Sequence, residues 1–171
     1  MACQIRKLNE ADWPEVSLIY QQGMDTGLAT FETRCPEFYQ WDATHLKACR
    51  LAGLQEGKVI GWAALTPVSG RCVYAGVAEV SVYVARDHRG KGAGKALLLE
   101  LIRCSEESGF WTLQSGIMKE NTASIQLHER CGFRMVGWRE KIGRDRLGQW
   151  RNTVLMERRS ASERFERTDC T

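Results

Sequence analysis

With 171 residues, 43% of them hydrophobic and 26% charged, the chain is sized for one domain with a substantial core. Its net charge of +3 is too small to argue for a nucleic-acid partner. No apolar run is long enough to cross a bilayer and Met1 to Leu8 holds no apolar signal core, which leaves a soluble cytoplasmic protein.

Residues 3–8 alternate enough for a first strand. Asn9 or Asp12 can cap a helix over about residues 12–22, with Pro14 in its first turn and Val16, Leu18 and Ile19 on its apolar side. Residues 26–33 read as an irregular loop. A second helix is expected after Pro36, running through Phe38, Trp41, His45, Leu46 and Cys49. Residues 51–54 and 59–65 flank Gln55-Glu56-Gly57-Lys58, a hairpin signal, and Pro67 to Gly70 form a loop. A long Val-rich strand spans 77–85, and an apolar helix follows to about Ser108. After a strand at 110–117, Asn121 caps a short helix that Gly132 closes. Strands at 133–141 and 150–157 complete the pattern. Seven strands and four helices in this order predict an α/β (α+β) domain with a mixed central sheet over residues 1–158. Residues 159–171 are expected to be a solvated tail, because 157–171 carry four arginines and little apolar matter.

The seven cysteines (3, 35, 49, 72, 104, 131 and 170) are odd in number and include no C-x-x-C pair. They predict reduced thiols, most of them small core fillers. His45, His88 and His128 fall in no zinc-ligand spacing with them, so no metal is expected.

Between the 77–85 strand and the next helix stands Arg89-Gly90-Lys91-Gly92-Ala93-Gly94-Lys95. A glycine turn that opens a helix exposes unpaired N–H groups at the positive end of the dipole, which suits phosphates. A Walker A loop needs its first glycine at 89 and Ser or Thr at 96; the chain has Arg89 and Ala96. A dinucleotide fingerprint fails on glycine spacing and mid-chain position. The pattern Arg-x-x-Gly-x-Gly, at Arg89, Gly92 and Gly94, resembles the pyrophosphate loop of the GNAT N-acetyltransferase superfamily. The bland alternative is a solvated turn with surface lysines.

Other segments strengthen the resemblance. Asn121 to Ile125, Leu127-His128-Glu129 and Gly132-Phe133 look like the acceptor-side helix and following turn of that superfamily. Thr30-Phe31-Glu32-Thr33, Ala78 to Val84 and Gly148 to Val154 resemble the phosphinothricin, methionine sulfoximine and arsinothricin acetyltransferase group. The resemblance implies a GNAT fold, acetyl-CoA as co-substrate, a homodimer, and acetylation of the α-amino group of small toxic glutamate analogues, giving resistance. A protein lysine or N-terminal acetyltransferase is the alternative. A non-catalytic acyl-CoA sensor is disfavoured by the retention of Glu79 and His128.

Strand alternation places Glu79, Ser81 and Tyr83 on one face and Val80, Val82 and Val84 on the other, against the core. The resemblance puts Val82, Tyr83 and Val84 on the pantetheine arm, Arg89 to Lys95 on the pyrophosphate, and Asn121 and Ser124 near the far end of the arm. Acetyl transfer to an amine needs a proton acceptor. Glu79 is the leading base, with an ion pair to Arg71 as its structural alternative. His128 is a second candidate, and Tyr83 can protonate the departing thiolate or simply pack. The acceptor pocket is expected around Phe31, Glu32, Thr33, Arg71, Tyr74, Ala75 and Glu79. A doubly anionic acceptor would need arginine. Ala75 stands where some members of the group carry one, so Arg71, or Arg144 or Arg146 across a dimer, would have to replace it.

Overall fold

The computed structural model describes residues 3–162 and 165. Seven strands form one sheet: β1 (Gln4–Lys7), β2 (Leu51–Gln55), β3 (Lys58–Pro67), β4 (Val77–Val84), β5 (Thr112–Met118), β6 (Arg134–Arg144) and β7 (Trp150–Arg159), in the order β1-β2-β3-β4-β5-β7-β6. All neighbours are antiparallel except β4 and β5. The helices are α1 (Trp13–Met24), α2 (Phe38–Thr44), α3 (Ala93–Glu107) and α4 (Thr122–Arg130).

The central strand β3 is buried on both faces from Ile60 to Leu65, and its alternation divides the core. Ala63 and Leu65 join Leu97, Leu98, Leu101 and Ile102 of α3 on one face. Trp62 and Ala64 join Val16, Ile19 and Tyr20 of α1 and Trp41 of α2 on the other. Gly61 lets α3 approach closely: a Cβ there would stand 2.8 Å from both a Leu97 methyl and the Tyr83 carbonyl. Trp62 is 0% exposed, stacked on Tyr83 at 4.8 Å and edge-on to Tyr20 and Trp41 at 5.3 and 5.7 Å. Among the described residues no helix is long and apolar enough to cross a membrane.

The parallel pairing of β4 with β5 is short. It joins Val77 to Thr112, Ala78 to Leu113 and Glu79 to Gln114, and then stops. Beyond Glu79 the two strands part, and β5 continues along β7 to Met118. The sheet therefore opens a cleft beside Val80–Val84.

Three expectations need correction. The second helix ends at Thr44, short of Cys49, and His45 is extended (φ −100°, ψ 142°). Arg50 causes the stop: it donates to the carbonyls of Asp42, His45 and Leu46, pairs with the Asp42 carboxylate, and lies over the Trp41 ring. These bonds satisfy carbonyls that a further turn would have used. The cysteines are not all thiols: Cys49 and Cys104 form a disulfide, their Cα atoms 5.6 Å apart and 55 residues distant in sequence. It ties the segment after α2 to α3. Finally, β7 runs to Arg159, where a tail was expected, and the Ser160 amide donates to the Trp111 carbonyl at 2.7 Å. Most of that tail, with Cys170, lies outside the described residues.

Candidate active site

The cleft where β4 leaves β5 is the floor of a cavity of about 530 Å³. Glu79, Ser81 and Tyr83 of β4 line it, with Thr66 opposite on β3 and Ser115 on β5. The loop between α1 and α2 folds over it through Leu28 to Glu32, α2 contributes Gln40, Trp41 and Thr44, and α4 contributes Ser124 and His128. Asn121 joins these walls. Its side-chain oxygen accepts from the Ser124 amide at 3.2 Å, capping α4, and its amide nitrogen donates to the Leu28 carbonyl at 3.1 Å.

Glu79 is half-buried, and one carboxylate oxygen accepts a hydrogen bond from the Gln114 side chain at 3.1 Å. Among the described residues it forms no ion pair. Arg71 instead lies over the Tyr74 ring at 5.7 Å on an exposed turn. Arg71, Tyr74, Ala75 and Thr33 do not line the cavity, whereas Phe31 and Glu32 do. The expected cationic anchor is thus not among the groups this chain brings to the cavity. For three of these residues the reason is local: the 3-10 turn at Cys72–Tyr74 keeps Arg71, Tyr74 and Ala75 at the surface.

His128 is 3% exposed. Its Nδ1 lies 2.7 Å from the Ser124 carbonyl, so that nitrogen carries the proton, and Nε2 has no hydrogen-bond partner among the described residues. Burial lowers its pKa, so the ring is a neutral imidazole with a free lone pair at neutral pH. Tyr83 is packed between Trp62 and Tyr20, and its hydroxyl donates a long bond of 3.4 Å to the Ala29 carbonyl. Burial pushes its pKa far above the phenol range, which makes it a poorer proton donor than in water. Tyr20 is pushed up to about 12, by burial first and then by the Glu32 carboxylate.

The glycine segment lies at the other end of β4. Gly90 and Gly92 take φ of +73° and +92°, a left-handed backbone that glycine adopts without strain, and Gly92 caps α3. Arg89 is exposed but tied to its neighbours. Its Nε donates to the Val84 carbonyl at 3.0 Å and its guanidinium reaches the Gln22 carbonyl at 3.4 Å, while Lys91 donates to the Asp87 carbonyl at 2.8 Å. These bonds fasten the turn to β4 and α1. The first N–H groups of α3 have no partner within the helix and form an anion-binding end. Gly90 to Lys95 do not line the cavity, whereas Val82 and Tyr83 of the preceding strand do.

Sequence reasoning missed the α2 wall. Gln40 and Thr44 stand one turn apart beside Trp41, a polar pair next to a buried ring, and that pattern was the available signal. His45 also lines the cavity, stacked on Trp41 at 4.3 Å with Nδ1 2.8 Å from the Trp41 carbonyl; burial lowers its pKa.

Both imidazoles, His128 buried and His45 half-buried, have pKa values lowered from their ordinary 6.5 by desolvation. A lowered folded-state pKa means the unfolded chain binds protons first as pH falls. Their stabilising share is therefore complete above about pH 6.5 and declines as pH drops through the folded values. Thermal melts at pH 7.5 and 5.5 should show a lower Tm in acid, and a His45→Gln, His128→Gln double variant should flatten that slope.

A splayed mixed sheet with a strand–glycine turn–helix on one side and a partly open cavity on the other defines an acyl-transferase architecture. The profile of the "Acetyltransferase (GNAT) family" matches residues 5–133. Phosphinothricin N-acetyltransferase of Alcaligenes faecalis is 37% identical over 92% of this chain and 82% of its own length. The L-methionine sulfoximine/L-methionine sulfone acetyltransferase of Pseudomonas aeruginosa is 31% identical over 92% and 94%. A GNAT superfamily phosphinothricin acetyltransferase from Sinorhizobium meliloti, solved in complex with AcCoA, superposes with a TM-score of 0.84 at 30% identity, covering 93% of this chain and 89% of that one. The chain belongs to the GNAT acetyltransferase family and is an N-acetyltransferase; acetyl-CoA is the co-substrate of that family.

Proposed function

We propose that this enzyme, as a single cytoplasmic catalytic domain over residues 1–158, acetylates the α-amino group of small glutamate-analogue amino acids of the phosphinothricin, methionine sulfoximine and arsinothricin type, and so confers resistance to them. One observation carries the reading: a cavity roofed by residues 28–32 opens onto the β4–β5 cleft with Glu79 and His128 both in its wall. Acetyl-CoA supplies the activated acetyl group. The side of Val82, Tyr83 and Val84 that faces away from β3 and pairs with no strand would hold the amide-bearing arm by strand addition, its Val84 carbonyl being already taken by Arg89. The turn from Arg89 to Lys95 would hold the pyrophosphate, and Asn121 and Ser124 would flank the inner end. Glu79 takes the proton from the acceptor's ammonium, with the His128 Nε2 lone pair as assistant. The amine then attacks the thioester carbonyl, a C–N bond forms and the C–S bond breaks; the second proton released from the nitrogen balances the one taken up by the departing thiolate, with Tyr83 as the proposed relay.

Acetyl-CoA should raise the Tm in a concentration-dependent way by mass action, while ATP and NAD do not. Thiol release should follow with glutamate analogues and not with lysine peptides or peptide N-termini. A faster reaction with peptides would put the protein-acetyltransferase alternative in its place.

The homodimer is part of this proposal. The edge strand β6 is exposed almost throughout, and with the adjoining turn it displays Val136, Trp138, Ile142, Leu147 and Trp150, of which Trp138 is 60% and Leu147 75% exposed. Such a patch on a sheet edge suits a second copy. Sedimentation at micromolar concentration should give a dimer, and Trp138→Glu a monomer.

A further inference from the structure

We propose that Arg50 is a positioning residue for the acceptor: it sets where α2 ends and so fixes the cavity wall formed by Gln40, Trp41, Thr44 and His45. The proposal rests on the amino-acid acetyltransferase reading above. Arg50 is 8% exposed and does not line the cavity, so it acts through other residues. A guanidinium this deep has lost its water, and such a charge is tolerated only where partners replace that water. Here they do. Nε donates to the Leu46 carbonyl at 2.7 Å. One terminal nitrogen donates to the Asp42 carboxylate, and the other to the carbonyls of Asp42 at 3.0 Å and His45 at 2.7 Å. The guanidinium also lies 4.9 Å from the centre of the Trp41 ring.

The wall needs such a tie. α2 has seven residues, too few to hold a helix without tertiary contacts. Its cavity-lining side chains stand in and just after its last turn. His45 leaves the helix in extended backbone, and the same residue gives its carbonyl to Arg50 and its ring to the cavity. That ring rests on Trp41, stacked at 4.3 Å, with Nδ1 2.8 Å from the Trp41 carbonyl. One side chain therefore holds both the main chain of His45 and the indole on which its imidazole lies. Lysine could not replace it, because an ammonium is a point charge without the planar fork that reaches four acceptors at once.

The acetyl-CoA side does not share this tie. The hydrogen bonds of the Arg50 side chain among the described residues all go to residues 42–46, and none reaches β4, the glycine turn or α3. The adjoining Cys49–Cys104 bond anchors the main chain here whatever side chain stands at position 50. Loss of the fork should therefore loosen the acceptor wall and spare the cofactor. A displacement of about 1 Å in a substrate-positioning group can cost about 10²-fold.

The test is steady-state kinetics with L-phosphinothricin and L-methionine sulfoximine for wild type, Arg50→Lys and Arg50→Met. In both variants kcat/KM for the acceptor should fall by about 10- to 100-fold, chiefly through KM, while the KM for acetyl-CoA stays within about twofold. The rise in Tm on adding acetyl-CoA should persist. Combined with His45→Ala, Arg50→Met should add less than its own factor, because both act on one wall. A lower Tm with an unchanged acceptor KM, or an equal loss for both substrates, overturns the proposal and makes Arg50 a general stabiliser. A wild-type acceptor KM in Arg50→Lys overturns it too, since charge alone would then suffice, and so does a full product of the two factors in the double variant. If Arg50→Met does not fold, Asp42→Asn carries the test: it loses the charge and keeps an accepting oxygen, so acceptor KM should rise by a smaller factor, and an unchanged value overturns the proposal. If wild type acetylates neither amino acid although acetyl-CoA raises its Tm, the amino-acid reading itself fails and this inference with it.

Discussion

Gly92→Asp should abolish acetyl-CoA binding. The residue caps α3 with φ +92°, where a side chain costs about 1–2 kcal/mol of backbone strain. A Cβ there would meet nothing within 4 Å, so the effect does not come from a clash within the protein. It comes from placing a carboxylate in the open space before the helix N-terminus, where a pyrophosphate would sit. Calorimetric titration should show no binding at millimolar acetyl-CoA and the melt should no longer respond to it. Gly92→Ala separates strain from charge and should retain a weakened affinity. Tight binding by Gly92→Asp would mean that the nucleotide is held elsewhere.

Glu79→Gln should lower kcat by about 10²- to 10⁴-fold with little change in acetyl-CoA affinity. The amide keeps the size of the side chain and can still accept from Gln114, whose donor lies 3.1 Å from the carboxylate, so local structure should survive. What is lost is the basic oxygen in the cavity wall. His128→Ala should cost less, because its lone pair only assists. Near-wild-type turnover by Glu79→Gln across about pH 6 to 9 would move the proton acceptor to His128 or to a water chain.

The features legible in the sequence are those set by neighbours in the chain. The β4–turn–α3 unit follows from a Val-rich strand, glycines at the left-handed positions and an apolar stripe on the helix, and each lies where that pattern puts it. The Asn121 cap and Gly132 closure of α4 are equally local. The cleft is not, because it depends on where β4 stops pairing with β5, and the sequence carries no mark of that register. The end of α2 depends on Arg50, six residues beyond Thr44, reaching back to carbonyls that a pattern of apolar residues ignores. The acceptor wall was half seen: Phe31, Glu32 and Glu79 lie in it, while the α2 face emerges only when that helix packs on Trp62. Arg71 was expected there on charge alone, and its turn keeps it outside. The Cys49–Cys104 pairing, 55 residues apart, exists only in three dimensions.

That covalent bond gives α3 a mechanical character. Cys104 sits in the last turns of the helix, while the glycine turn is at its first. Tethered at its back end by the disulfide and held at its front where Arg89 ties the glycine turn to β4 and α1, the helix is a rod fixed at both ends that cannot slide along the sheet. The first turn of α3 and the edge of β4 beside it are thereby kept in a single alignment by two ties at opposite ends of one helix.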